Sequence, residues 1–264
     1  MNPGEPKPAV REQLPQRPMA TIEGPGKGRI LCEVNARLQN GEHYMRVMEK
    51  IQGVLSKWGE KKIRNYPWRN TGDPYRVIVA EIMLQRTGAD QVKKIYEKFI
   101  EKFPDFMSVV VAGQDRIRSE FRPLGLLWRG DLLYRMAQEV VEKYGGVLPL
   151  NRDELTKLPG IGHYIASALL CSLCNTPEPA LDTNTVRVIG RIFGIEVTDS
   201  SRRSKKFKKI MRDMIDCDDP RKLFLSVIDF AATVCTADDP KCKTCPLNDI
   251  CSFYRVRLNE GKIN

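Results

Sequence analysis

The chain has 264 residues, with 43 lysines and arginines against 33 aspartates and glutamates, so its net charge of +10 points to a polyanionic partner, nucleic acid first. That length supports a sizeable core in one large domain or two small ones. No apolar run approaches the roughly 20 residues of a membrane span, the longest being about Tyr164 to Cys174, and no signal-peptide core opens the chain; it reads as intracellular, cytoplasmic or nucleoid-associated.

Residues 1–42 carry Pro3, Pro6, Pro8, Pro15, Pro18 and Pro25 with little apolar periodicity, and are expected to be a disordered tail. From His43 the pattern turns helical, with Val47, Ile51, Val54, Leu55 and Trp58 on one face. Asn65-Tyr66-Pro67-Trp68-Arg69-Asn70 breaks that helix. Pro74 opens a second, running through Val77, Ile78, Ile82 and Leu84 to Arg86 and carrying Glu81. The spacings Val92-Ile95-Phe99-Phe103 and Leu133-Met136-Val140-Tyr144 predict two more, the latter stopped by Gly145-Gly146, and Asn151 caps the next.

There follows Leu158-Pro159-Gly160-Ile161-Gly162-His163-Tyr164, with helical spacing resuming at Ile165, Ala166, Leu169 and Leu170. Pro159 presets one backbone angle and the two glycines permit angles closed to other residues, which predicts a tight hairpin between helices. Two glycines let amides approach a ligand closely, and the next helix aims its positive end at the same spot, so a DNA phosphate suits it; a helix joint with no guest is the alternative. Eighteen residues on, Asp182 precedes Thr183, Val186, Ile189, Ile192 and Phe193 and is placed as a helix N-cap. A carboxylate there, close to DNA, would also stabilise positive charge developing on a deoxyribose; the two readings are compatible. Beyond it, Phe207-Ile210-Met211-Met214 and Phe224-Val227-Ile228-Ala231 continue the helical spacing, and no sustained period-two alternation occurs, so the fold class is all-α. The basic run from Arg202 to Lys209 reads as a solvated helix face or loop.

Of eight cysteines, four lie in Cys235-x6-Cys242-x2-Cys245-x5-Cys251, which suggests a metal centre rather than a disulfide scaffold. Spacing alone allows tetrahedral zinc or a cubane iron–sulfur cluster. Cys171 and Cys174, on an apolar helix, read as small core residues.

Hairpin, Asp182 and cysteine ladder follow one another as in the helix-hairpin-helix DNA glycosylases similar to endonuclease III, a resemblance covering residues 43 to 256. It implies a two-domain fold: a helical-barrel domain over 67–177 with its hairpin at 158–162, an iron–sulfur cluster domain from 43–66 and 178–256, and a C-terminal tail over 257–264. The family wraps a [4Fe–4S] cluster with four cysteines at this spacing, here Cys235, Cys242, Cys245 and Cys251. It also implies that Leu158, Gly160, Gly162 and His163 meet DNA. The loop between the first two cysteines, typically basic in the family, is Thr236-Ala237-Asp238-Asp239-Pro240-Lys241 here, so weaker DNA engagement is expected of it.

Bifunctional members place a Schiff-base lysine where this chain has Tyr164, which implies base removal with little or no strand cleavage. Tyr66-Pro67-Trp68-Arg69 and Ala80-Glu81-Ile82-Met83-Leu84-Gln85-Arg86-Thr87 resemble segments of two monofunctional groups, the MutY adenine glycosylases and the Mig thymine glycosylases. The resemblance makes Asp182 and Glu81 catalytic, Asp182 facing the sugar cation and Glu81 delivering a proton or activating water. Tyr164 and Asn184 line the pocket, and Gln85 and Arg86 meet DNA, Arg86 filling the vacated stack. Arg86 stands where MutY normally has glutamine, Leu126-Leu127 replaces its paired tyrosines after Leu124-Gly125, and only thirteen residues follow Cys251, too few for the extra MutY domain. The resemblance therefore implies a monomer acting on double-stranded DNA with a mismatched base, thymine or uracil opposite guanine. Adenine opposite guanine or 8-oxoguanine is the first alternative, and a non-catalytic iron–sulfur DNA-binding protein the second.

Overall fold

The computed structural model describes residues 41–261. The tail expected over 1–42, with Cys32, lies outside the described residues except for Gly41 and Glu42, which open the first helix. Every element among the described residues is helical: α1 (Gly41–Lys62), α2 (Pro74–Leu84), α3 (Ala89–Lys102), α4 (Phe106–Ala112), α5 (Gln114–Glu120), α6 (Trp128–Tyr144), α7 (Arg152–Leu155), α8 (His163–Cys174), α9 (Thr183–Phe193), α10 (Lys205–Ile215), α11 (Pro220–Thr233) and α12 (Ser252–Asn259). Short 3-10 turns stand at Pro67–Arg69, Arg122–Leu124, Ser201–Arg203 and Cys242–Thr244. The all-α expectation holds. The helix expected to reach Arg86 stops at Leu84, because Gln85 leaves helical geometry at ψ 110° and Arg86 turns left-handed at φ 58°.

Local chemistry accounts for the starts. Asp73 accepts from the Tyr75 amide with Pro74 in the first turn of α2, Asn151 accepts from Glu154 at α7, and Asp219 accepts from Lys222 with Pro220 opening α11. Asp105 and Asp182 each form a complete capping box, with Ser108 and Thr185.

The buried side chains form two cores. The first joins Tyr66, Trp68 and the inner faces of α2 to α8, down to Leu170. In the second, α1 returns to pack on α10 and α11, and α9, α11 and Leu247 complete the core. Helix α8 belongs to both: Ala166, Leu169 and Leu170 face the first core, Ala168 and Cys171 the second. A helix apolar all round is a buried helix, and this one makes the seam between the cores. α1 and α11 approach so closely that a Cβ on Gly59 would stand 2.0 Å from the Ser226 hydroxyl.

Candidate active site

Four segments converge on the seam. Tyr164, in the first turn of α8, packs against both cores. Asp182 caps α9: its Oδ1 accepts from the amides of Asn184 at 2.9 Å and Thr185 at 2.7 Å, and its Oδ2 accepts from the Asn184 side chain at 3.0 Å. These donors, at the positive end of α9, are directed at the carboxylate. Glu81 lies in the middle of α2 among otherwise buried neighbours. Burial pushes its carboxyl up to about 7, with the Arg69 guanidinium pulling the other way and the Asp182 carboxylate adding to the rise. Burial, then the charges of Glu81 and Asp182, hold the Tyr164 phenol well above its ordinary range, so it remains a neutral group.

The fourth segment is the turn Pro67–Arg69. Arg69 reaches across the seam to Asp229 of α11, donating from Nη1 at 2.6 Å and Nη2 at 3.1 Å. Asp229 is 0 % exposed and also accepts from the Arg64 amide at 2.7 Å and from its Nε and Nη2 at 2.9 and 2.7 Å. Burial opposes ionisation of Asp229, but the hydrogen bonds from Arg69 and Arg64 outweigh it and hold the carboxyl low. Sequence reading gave Arg69 and Asp229 no role. One signal was present: a carboxylate amid Val227, Ile228, Phe230 and Ala231 on a core-facing helix demands a buried cation.

A second hydrogen-bonded line leaves the site. Asn184 accepts from Arg187 Nη1 at 2.9 Å, and Arg187 also donates to the carbonyls of Cys235 at 3.0 Å and Ala231 at 2.8 Å. Arg191, one turn on, donates to the Cys235 sulfur at 3.5 Å and to the carbonyls of Thr236 and Ala237 at 2.6 and 2.7 Å. Cys251 also meets α9, its thiol donating to the Arg191 carbonyl at 3.4 Å. Burial raises the thiols of Cys242, Cys245 (to about 11) and Cys251 (to about 12), and the charge of Cys235 adds to each. All four are free thiols. Among the described residues, no three His, Cys, Asp or Glu side chains form a group that could hold a metal ion.

The hairpin forms as expected, although its glycines differ. Gly160 is left-handed at φ 82°, and a Cβ there would press Leu132 at 3.2 Å; Gly162 has an ordinary φ of −88° and caps α8 with open space around it. Only Gly160 needs its backbone freedom, while the bare Gly162 leaves room for an approaching ligand. Leu158 buries its side chain in the first core, leaving only its backbone for outside contact, whereas His163 is exposed. Gln85 donates to the Gly160 carbonyl at 3.4 Å, and Arg86 is exposed beside it. In the loop after Cys235, Asp238 and Asp239 are exposed along with Lys241 and Lys243.

Comparison with known proteins gives the same bearing. The family model of the HhH-GPD superfamily of base excision DNA repair proteins matches residues 79–213. A thymine/uracil-DNA glycosylase of Pyrobaculum aerophilum is 38% identical over 79% of this chain and 93% of its own. An adenine DNA glycosylase of Buchnera aphidicola is 32% identical over 77% of this chain but 58% of its own. The solved structure of a thermostable thymine-DNA glycosylase superposes with a TM-score of 0.75 at 31% identity, covering 80% of this chain and 97% of that one. Among the described residues, no helix is long and apolar enough to cross a membrane.

Proposed function

Because the chain belongs to the HhH-GPD superfamily of base excision DNA repair proteins, we propose that it is a monofunctional DNA glycosylase that hydrolyses the N-glycosidic bond of a flipped-out thymine or uracil opposite guanine. The observation that carries this reading is the pair of carboxyl groups brought from two cores to one seam. Glu81 is held near pH 7 by burial, and Asp182 is surrounded by hydrogen-bond donors. Cleavage of this bond needs a proton for the departing base and an anion beside the sugar cation it leaves. Glu81 supplies the first and Asp182 the second. Tyr164, neutral between them, walls the pocket and supplies no amine for strand cleavage. Asn184 orients Asp182 through the bond from its side-chain amide.

Double-stranded DNA is the partner, bound by a monomer. The backbone at Leu158, Gly160 and Gly162, with His163, takes a phosphate at the start of α8; Gln85 and Arg86 stand at the vacated stack. The barrel domain spans 67–177, and 43–66 with 178–256 makes the second domain. Cys235, Cys242, Cys245 and Cys251 would hold a [4Fe–4S] cluster. The chemistry of the donors supports this reading: four thiols at the family's spacing whose charges weigh on one another, with Arg191 donating to one sulfur. When bound, such a cluster would tie the end of α11, through Cys235, to the loops before α12, through Cys242, Cys245 and Cys251, rather than act as a reacting group.

Single-turnover cleavage of G·T, G·U, A·G and A·8-oxoguanine duplexes, developed with alkali to break strands at abasic sites, tests the proposal. Thymine and uracil are expected to leave fastest. Faster loss of adenine would move the protein to the adenine glycosylases, and breaks without alkali would contradict the monofunctional reading.

A further inference from the structure

Among the described residues, Arg129, in the first turn of α6, is the largest side chain buried completely, at 0 % exposure. Its guanidinium donates to the carbonyls of Met83 and Gln85 (2.8 Å to the latter) and to the Thr87 hydroxyl at 2.9 Å. It also donates to Leu124 O at 2.9 Å and Leu126 O at 3.4 Å. These acceptors are carbonyls and a hydroxyl, with no carboxylate among them. Met83 lies in the last turn of α2, and the other acceptors lie in two turns: 85–88, which follows α2, and 124–128, which begins at the last residue of the 3-10 turn Arg122–Leu124. The negative end of α2 and the carbonyls of the second turn therefore offset the buried charge.

Both turns hold a left-handed residue, Arg86 at φ 58° and Gly125 at φ 82°. For arginine that geometry is strained and persists only where the surroundings over-determine it. Here the carbonyl before Arg86 and the hydroxyl after it are both bound by Arg129 Nη1. Beyond this anchor the turns expose Arg86 and Trp128, the latter 43 % accessible, while Gln85 ties the first turn to the hairpin.

We propose that Arg129 is a positioning residue that fastens the turns 85–88 and 124–128 into one rigid wedge, so that Arg86 and Leu126-Leu127-Trp128 enter the helix stack as a unit. A base can leave the stack at low cost only if a preorganised group takes its place, and two separately mobile turns would have to be ordered at the moment of insertion. A planar fork is suited to the task, because it can bind both turns in fixed directions at once; a lysine cannot. The inference rests on reading Arg86 as the group that fills the vacated stack.

The test measures, by fluorescence anisotropy at one salt concentration, the affinity for a duplex with a tetrahydrofuran abasic-site analogue opposite guanine and for the fully matched duplex. R86A, R129K and their double variant are compared, with melting temperature as a check on folding. R86A and R129K are each expected to lose at least about tenfold in affinity for the abasic duplex and to bind matched duplex within about twofold of wild type. The double variant should lose no more than the worse single, since both changes disable one device. T87V, which removes one acceptor, should show a smaller loss confined to the abasic duplex, and it decides the matter if R129K does not fold. Unchanged abasic-site affinity in R129K (or in T87V where R129K fails to fold), equal weakening on both duplexes, or multiplicative losses in the double variant would overturn the proposal. If R86A alone is without effect, the stack-filling reading of Arg86 fails instead, and the inference with it.

Discussion

The two carboxyl corners of the seam are built by opposite means. At the start of α9, Asp182 receives two backbone amides and a side-chain amide, and its own amide donates to the Thr185 hydroxyl at 2.8 Å. In the middle of α2, Glu81 has burial as its strongest influence, moderated by Arg69, whose guanidinium is committed to Asp229. Donors favour a fixed anion, whereas exclusion of water favours a carboxyl that still holds its proton near neutrality. The same chemical group thus meets two opposite settings on either side of one seam.

Removing the anion should have the largest effect. Asp182→Asn keeps the shape and much of the capping and should slow base release by about a thousandfold or more while leaving binding to mismatched duplex nearly unchanged, read by single-turnover kinetics beside anisotropy. Glu81→Gln should slow release by about a hundredfold. It should also alter stability in a definite direction. The folded Glu81 carboxyl, at about 7, lies above its ordinary 4.5, so its contribution to stability is fully present below 4.5 and is lost as pH rises to 7. Relative to wild type, E81Q should therefore be more stable at pH 8 than at pH 4.5, as denaturant titrations at the two pH values would register.

Asn184→Ala sharpens the comparison at the other corner. It deletes one of the donors to Asp182 and the acceptor for Arg187, and should cost about tenfold in base release with little change in pH dependence. The smallest rate effect belongs to Arg69→Met. Removing that cation leaves Glu81 with its burial unopposed, so the loss of activity with rising pH should move to higher pH. Asp229 would retain only Arg64, and unfolding free energy should fall by about 1–3 kcal/mol.

How much of this could be read from the sequence follows from the range of the forces involved. Pro74 presets its own backbone angle, Asn151 and Asp182 act on amides two or three residues away, and Gly160 on its own backbone, so these helix starts and the hairpin could be read directly. Helices α4 and α5 span seven residues each, too few turns for periodicity to declare itself, and no sequence expectation covered them. The ion pair of Arg69 with Asp229 joins positions 160 residues apart, and Arg129 differs from a surface arginine only by what folds around it. Gly162 teaches the reverse: the residue type suggested an unusual backbone angle, yet its φ is ordinary and its value lies in the space a missing side chain leaves.

The central claim, that burial makes Glu81 an acid while Asp182 serves as the anion, is tested most directly by the pH dependence of single-turnover uracil release from a G·U duplex, wild type beside E81Q. The account predicts a wild-type rate that falls as pH rises through about 7, and a slower E81Q rate without that fall. A full-rate E81Q enzyme, or one that keeps the same descending limb, would contradict it.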